Sequence, residues 1–189
     1  MRRLPGTEYV ALKEERIMSA RAYARMFVAL LVGSVLLTAA TQAQTTWYVD
    51  DDAPNDPGPG DPLVSDPLED GSAAHPFDAI QEGIDVAQEG DTVLVADGTY
   101  TGPGNSFVSF AGKAITVRSE NGPAGCIIED GWFEFSDGET GLSVLNGFTI
   151  SEAFICAIEC WESSPTIINC TITDTYVDAD ICLLAILCG

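Results

Sequence analysis

The sequence predicts an all-β solenoid with coils of about 22 residues. Two columns of residues carry that prediction. Cys126, Phe148 and Cys170 recur every 22 positions, and Ile128, Ile150 and Ile172 recur at the same interval two residues later. Two apolar side chains spaced two apart are the inward face of a strand. A repeat of this length marks units that bury a core only by stacking on their neighbours. Gly125, Gly147 and Asn169 stand just before the columns and are residue types that accept turn geometry. A leucine-rich repeat has a similar period. Leu142-x-x-Leu145-x-x-Phe148 lacks the leucine-x-leucine spacing and the fixed Asn that such a repeat needs.

The chain divides into three parts. In residues 1–43, Arg21 and Arg25 precede a 15-residue, largely apolar run from Met26 to Ala40, and small residues end at Ala43. This is the pattern of a secretory signal peptide, and Met18 is a candidate true start. The run is shorter than the ~20 residues of a membrane span, so no anchor is expected after cleavage. Residues 44–76 hold a short strand, Trp47-Tyr48-Val49, and an acidic loop rich in Asp, Pro and Gly. Residues 77–189 open with a helix over Asp78–Glu89. Asp78 is its expected N-cap, Gln81 completes a capping box, and Gly90 is a left-handed stop. Phe77, Ile80, Ile84 and Ala87 lie on one face of it. Strands follow at Thr92–Val95, Thr99–Thr101, Phe107–Phe110 and Ala114–Val117, with turns at Asp97-Gly98 and Asn121-Gly122-Pro123.

Charge excludes several partners. The whole chain carries a formal −21, but six of its eight basic residues lie before residue 44. Residues 44–189 retain Lys113 and Arg118 against 26 acidic residues, a formal −24. Such a surface repels polyanions, so nucleic acid is excluded and acidic polysaccharides are disfavoured. The six cysteines all lie after residue 125 and make no zinc pattern. Cys160 and Cys182, 22 residues apart, are expected on adjacent rungs, either as a reduced ladder or as a disulfide.

Two segments resemble a known family. Pro76-Phe77-Asp78-Ala79-Ile80-Gln81-Glu82-Gly83-Ile84-Asp85, followed by Gly90–Val95 and Asp97–Tyr100, is similar to the entry motif of secreted right-handed parallel β-helix proteins of the pectin-lyase-like superfamily. Ser163–Ile172 resembles their repeated coils. The resemblance implies a right-handed parallel β-helix over about residues 47–189, with the helix capping its N-terminal end. It does not imply one activity, because lyases, hydrolases, esterases and non-enzymatic surface proteins share the scaffold. The family's catalytic sets are not matched here. Arg118 reads as a solvated residue at a strand end, and His75 as a structural residue in a turn.

The remaining candidates are weakly patterned. Glu129, Asp130 and Glu134 flank Trp132 and Phe133, whose rings could stack on a sugar. Asp50, Asp51 and Asp52 offer the hard oxygens that calcium prefers, without the alternating spacing or Gly of a calcium loop, so a solvated loop is expected. Ile181–Cys188 is apolar and lacks a polar cap, which points to a truncated solenoid or to self-association through its last coil. The expectation is therefore an exported, non-catalytic surface or extracellular (or periplasmic) protein that binds neutral carbohydrate. The alternative is the N-terminal part of a polysaccharide lyase or glycoside hydrolase whose catalytic coils are missing.

Overall fold

A computed structural model describes residues 43–154, 156–175 and 186–188, and the elements all lie within the unit Gln44–Gly189. The signal segment and Cys182 lie outside the described residues. In chain order the elements are β1 (Thr46–Val49), α1 (Ile80–Val86), β2 (Thr92–Val95), β3 (Gly98–Tyr100), β4 (Phe107–Ser109), β5 (Thr116–Ser119) and β6 (Cys126–Glu129). They continue with β7 (Trp132–Phe135), β8 (Val144–Asn146), β9 (Thr149–Ser151), β10 (Ile158–Cys160), β11 (Thr166–Ile168), β12 (Thr171–Thr173) and β13 (Ile186–Cys188).

Among the described residues every pairing between the named strands is parallel and joins one coil to the next. Three sheets result. Sheet one runs β1-β2-β5-β8-β11, sheet two β3-β6-β9-β12, and sheet three β4-β7-β10-β13. This is a parallel β-solenoid of about 3 turns. Each sheet turns an apolar face inward. Val93, Val117, Leu145 and Ile167 are register partners in sheet one. Tyr100, Ile128, Ile150 and Ile172 are partners in sheet two, so the expected isoleucine column is real. Val108, Phe133 and Ile158 are partners in sheet three. All are fully buried except Ile167 and Ile172, which pack on the core from its last described coil.

The coil length is not constant. The isoleucine column keeps a spacing of 22. Val93 and Val117 are 24 apart, and Val117 and Leu145 are 28 apart. Extra residues go into the turns between strands, as in residues 136–143 between β7 and β8. One consequence corrects the cysteine expectation: the register partner of Cys160 is Cys188, not Cys182. Another corner is strictly periodic. Asp130, Glu152 and Asp174 follow β6, β9 and β12 and adopt left-handed φ of 52°, 56° and 51°. Gly147, with φ of 89°, makes the turn into the Phe148 position, and a Cβ there would stand 2.5 Å from Ser119 Oγ.

The helix is shorter than expected and its N-cap is Ala79, not Asp78. The reason lies in the first coil. Asn105 Oδ1 accepts the Ile80 N–H at 2.9 Å and the Gly104 carbonyl accepts the Gln81 N–H at 3.0 Å. Glu82 reaches back to the Ala79 N–H at 3.2 Å. The early helical donors are thus satisfied without the Asp78 side chain. At the other end Lys113 Nζ donates to the Ile84 and Asp85 carbonyls at 2.6 and 2.8 Å, where a cation also suits the helix dipole. Ile80 and Ile84 are buried, and α1 packs on β1, β2 and β4.

Candidate functional site

The outer face of sheet three holds the exposed aromatic pair. Strand alternation sends Phe133 and Phe135 inward and Trp132 and Glu134 outward. Trp132 is the register partner of Phe107, and their ring centroids are 5.1 Å apart at 57°. Both rings remain open to solvent, at 37% and 45% exposure. Glu134 stands two residues along the same face, in register with Ser109 on one side and Glu159 on the other.

The five predicted sugar-site residues are not all together. Trp132 and Glu134 share the outer face. Asp130 is the left-handed corner before it, and Glu129 belongs to sheet two, opposite Ser151. Phe133 must be withdrawn from the set: it is fully buried against Phe148, with centroids 5.6 Å apart, because its strand position points inward. Phe107 takes its place. It lies 25 residues before Trp132, an interval the 22-residue count could not align. An aromatic followed two residues later by a polar residue, one coil earlier, was the usable signal.

A second feature lies on the outer face of sheet one. Arg118 lies within β5, not beyond its end, and is half-buried between its partners Leu94 and Asn146. Arg118, Ser119, Glu120, Asn146, Asn169 and Thr171 line a groove of about 450 Å³. Asn169 Nδ2 donates to Asn146 Oδ1 at 3.0 Å, so one coil's turn is tied to the next along the groove. Arg118 makes only a long 3.5 Å contact, to the Ser119 carbonyl.

The third feature is the acidic loop between β1 and α1. Asp52 is exposed, but Asp51 is 3% exposed, so the triple is not simply a solvated loop. A parallel bridge between Val49 and Phe77 draws the segment after β1 beside the start of α1, and Asp51 Oδ1 lies 2.9 Å from where a Cβ on Gly98 would stand. Burial first, then the charges of Asp52 and Asp50, push the Asp51 carboxyl up to about 7. Burial also raises that of Asp50, against the opposing effect of the Asp52 N–H. His75 Nδ1 lies 2.6 Å from Asp66 Oδ2, and that hydrogen bond holds the Asp66 carboxyl below its usual range. Among the described residues no three His, Cys, Asp or Glu side chains stand ready as a closed set of metal ligands, and no helix is long and apolar enough to cross a membrane.

No family model matches the chain, and no match was found among curated proteins or solved structures. Its own residues therefore carry the functional reading. Of the three features, only the aromatic pair presents exposed ring faces on a sheet.

Proposed function

We propose that this chain is an exported, non-catalytic right-handed β-helix protein of the pectin-lyase-like kind, with α1 as its N-terminal cap and residues 1–43 as its signal peptide. It binds neutral carbohydrate on the outer face of sheet three. The exposed Phe107–Trp132 pair carries the reading. Sugar rings present C–H faces that pack on aromatic rings, and the outward carboxylate of Glu134 can accept hydrogen bonds from sugar hydroxyls. The formal −24 of residues 44–189 turns polyuronates away and leaves neutral chains as the fitting class.

Export and a place in the extracellular space or at the cell surface accord with the Met26–Ala40 run and its small-residue ending. In the last described coil Ile167, Cys170 and Ile172 are only partly buried, and Ile168 is 44% exposed. Further coils or a second copy would cover them, since open strand edges recruit other chains.

Affinity electrophoresis through gels holding neutral β-glucan or polygalacturonate tests the reading. The protein should be retarded by a neutral polymer and not by polygalacturonate. Trp132→Ala should migrate freely with an unchanged melting temperature. Equal migration of both proteins in every neutral gel would remove the carbohydrate assignment. The Arg118 groove favours one second reading, a chain that is part of a polysaccharide-cleaving enzyme.

A further inference from the structure

The aromatic pair occupies one margin of sheet three, and the opposite margin carries a further exposed ring. Trp161 follows β10 directly and is 58% exposed. Its N–H donates to the Phe135 carbonyl at 2.8 Å, so the ladder between β7 and β10 runs one residue past Cys160. Ile158 and Cys160 are buried, and strand alternation sets Trp161 on the opposite, outer face with Glu159. Glu162 follows with a left-handed φ of 50°, and Asp130, with φ of 52°, lies two residues before Trp132. The two tryptophans thus stand beside the corners at which the chain leaves and enters sheet three.

Their spacing is set by the backbone. The ladder places Trp161 level with Ser136, four residues after Trp132 on the neighbouring coil. Four strand residues span about 13 Å and the step between coils adds about 5 Å sideways, a distance of roughly two to three pyranose rings in an extended chain. Between the rings lie Glu134 and Glu159, register partners whose side chains are partly exposed on the same face. Neither is in an ion pair; the one formed among the described residues is His75 with Asp66. Lys113 is committed to the end of α1 and Arg118 lies in sheet one, so no cation stands along the strip. It reads ring, two carboxylates, ring. Carboxylate oxygens accept hydrogen bonds from hydroxyls and repel other anions.

Resting on the reading of this face as a neutral-carbohydrate site, we propose that its ligand is an extended polysaccharide chain that crosses sheet three along the strands and is held at two points. One sugar stacks on Trp132, with the Phe107 ring beside it at 57°. A sugar further along the chain stacks on Trp161. The hydroxyls between them donate to Glu134 and Glu159. The site therefore selects by length. An oligomer too short to reach both rings gains one stacking contact. A longer one gains both without a second loss of translational and rotational freedom. A basic peptide would be drawn to the formal −24 of residues 44–189 as a whole, whereas the separation of the rings singles out this one face.

Calorimetric titration of the full chain with β-linked glucose disaccharides and hexasaccharides tests this. The hexasaccharide should bind roughly tenfold or more tighter than the disaccharide. Trp161→Ala should lower hexasaccharide affinity by about tenfold, to the disaccharide level, with an unchanged melting temperature because the ring is exposed. Trp161→Phe should recover part of the loss, and Trp132→Ala should weaken both lengths. If Trp132→Ala loses the hexasaccharide while Trp161→Ala binds it like the wild type, the two-point span is overturned and the carbohydrate site stands. If the wild type binds neither length and no neutral gel retards it, the carbohydrate reading falls and the span falls with it. Trp161-dependent binding of a lysine-rich peptide, without hexasaccharide binding, would assign the strip to a basic protein segment and also overturn the proposal.

Discussion

The side chain of Gln81 hydrogen-bonds the backbone of Ser109 twice. Its Nε2 donates to the Ser109 carbonyl at 3.1 Å, and its Oε1 accepts the Ser109 N–H at 2.9 Å. Ser109 is the last residue of β4, the first strand of sheet three, whose outer edge has no strand partner among the described residues. A helix side chain thus completes the ladder where a coil is missing. Gln81→Ala leaves that donor and acceptor without partners and should cost about 1–3 kcal/mol. It should also open the β4 edge to other chains. Urea unfolding and light scattering check both outcomes. Full stability with no rise in aggregation would show that water satisfies the edge equally well.

Glu139 ties three successive turns together. Its carboxylate accepts the Gly112 N–H at 2.8 Å, the Asp137 N–H at 3.0 Å and the Ser163 hydroxyl at 2.8 Å. Burial by itself would raise this carboxyl, but these donors outweigh burial and hold it below its ordinary value. A depressed folded pKa stabilises the fold fully above the unfolded value of about 4.3 and ceases to do so as pH falls through the folded value. Glu139→Gln should therefore cost about 1–3 kcal/mol at pH 7 and much less at pH 3. Urea midpoints of the two proteins should converge in acid. A gap that stays constant from pH 7 to pH 3 would assign the effect to shape instead of charge.

Glu152 pays a backbone cost at its corner. Its φ of 56° is left-handed, a region that side chains disfavour by about 1–2 kcal/mol, while glycine loses about 0.5–1 kcal/mol of extra chain entropy on folding. Glu152→Gly should stabilise the chain by roughly 0.5–1 kcal/mol, and it also removes one of three stacked acidic corners. Thr149→Gly, in the extended strand just before it, should destabilise. Thermal melts that rank the two variants the other way would contradict the corner geometry.

Arg118 decides between the two functional readings. Purified residues 44–189, assayed with calcium for unsaturated products from polygalacturonate, should show no turnover. The acidic surface opposes the encounter. No second basic side chain shares the groove, because Lys113 is engaged at the end of α1. A positioned acid or base is worth about 10²–10⁴-fold, so its lack leaves little to detect. Turnover that vanishes in Arg118→Ala would replace the binding reading with the enzymatic one.

Much of this architecture was legible before any coordinates. Alternation within Cys126–Glu129, Thr149–Ser151 and Thr171–Thr173, repeated every 22 residues, is a local pattern that leaves only one face to bury. A one-residue slip would expose Ile128, Ile150 and Ile172 together, so periodicity alone fixes the column. The length of each turn is not constrained in this way. Turns of unequal length hid the pairing of Phe107 with Trp132 and of Cys160 with Cys188.

The acidic loop marks the boundary between the two kinds of information. Its composition already dictates an irregular, turn-rich segment, because Asp and Pro favour local side-chain and backbone turns over ladders. Whether a given carboxylate ends in water or in the interior depends on distant partners. Asn105, 27 residues beyond Asp78, meets the helix donor that an N-cap would otherwise serve, and Asp51 is buried with its Oδ1 against Gly98, 47 residues on. Local pattern thus sets which residues alternate and where the chain turns. Long-range hydrogen bonds and packing set which polar atoms lose their water, because desolvation depends on every element that comes to lie around an atom and not on its neighbours in the chain.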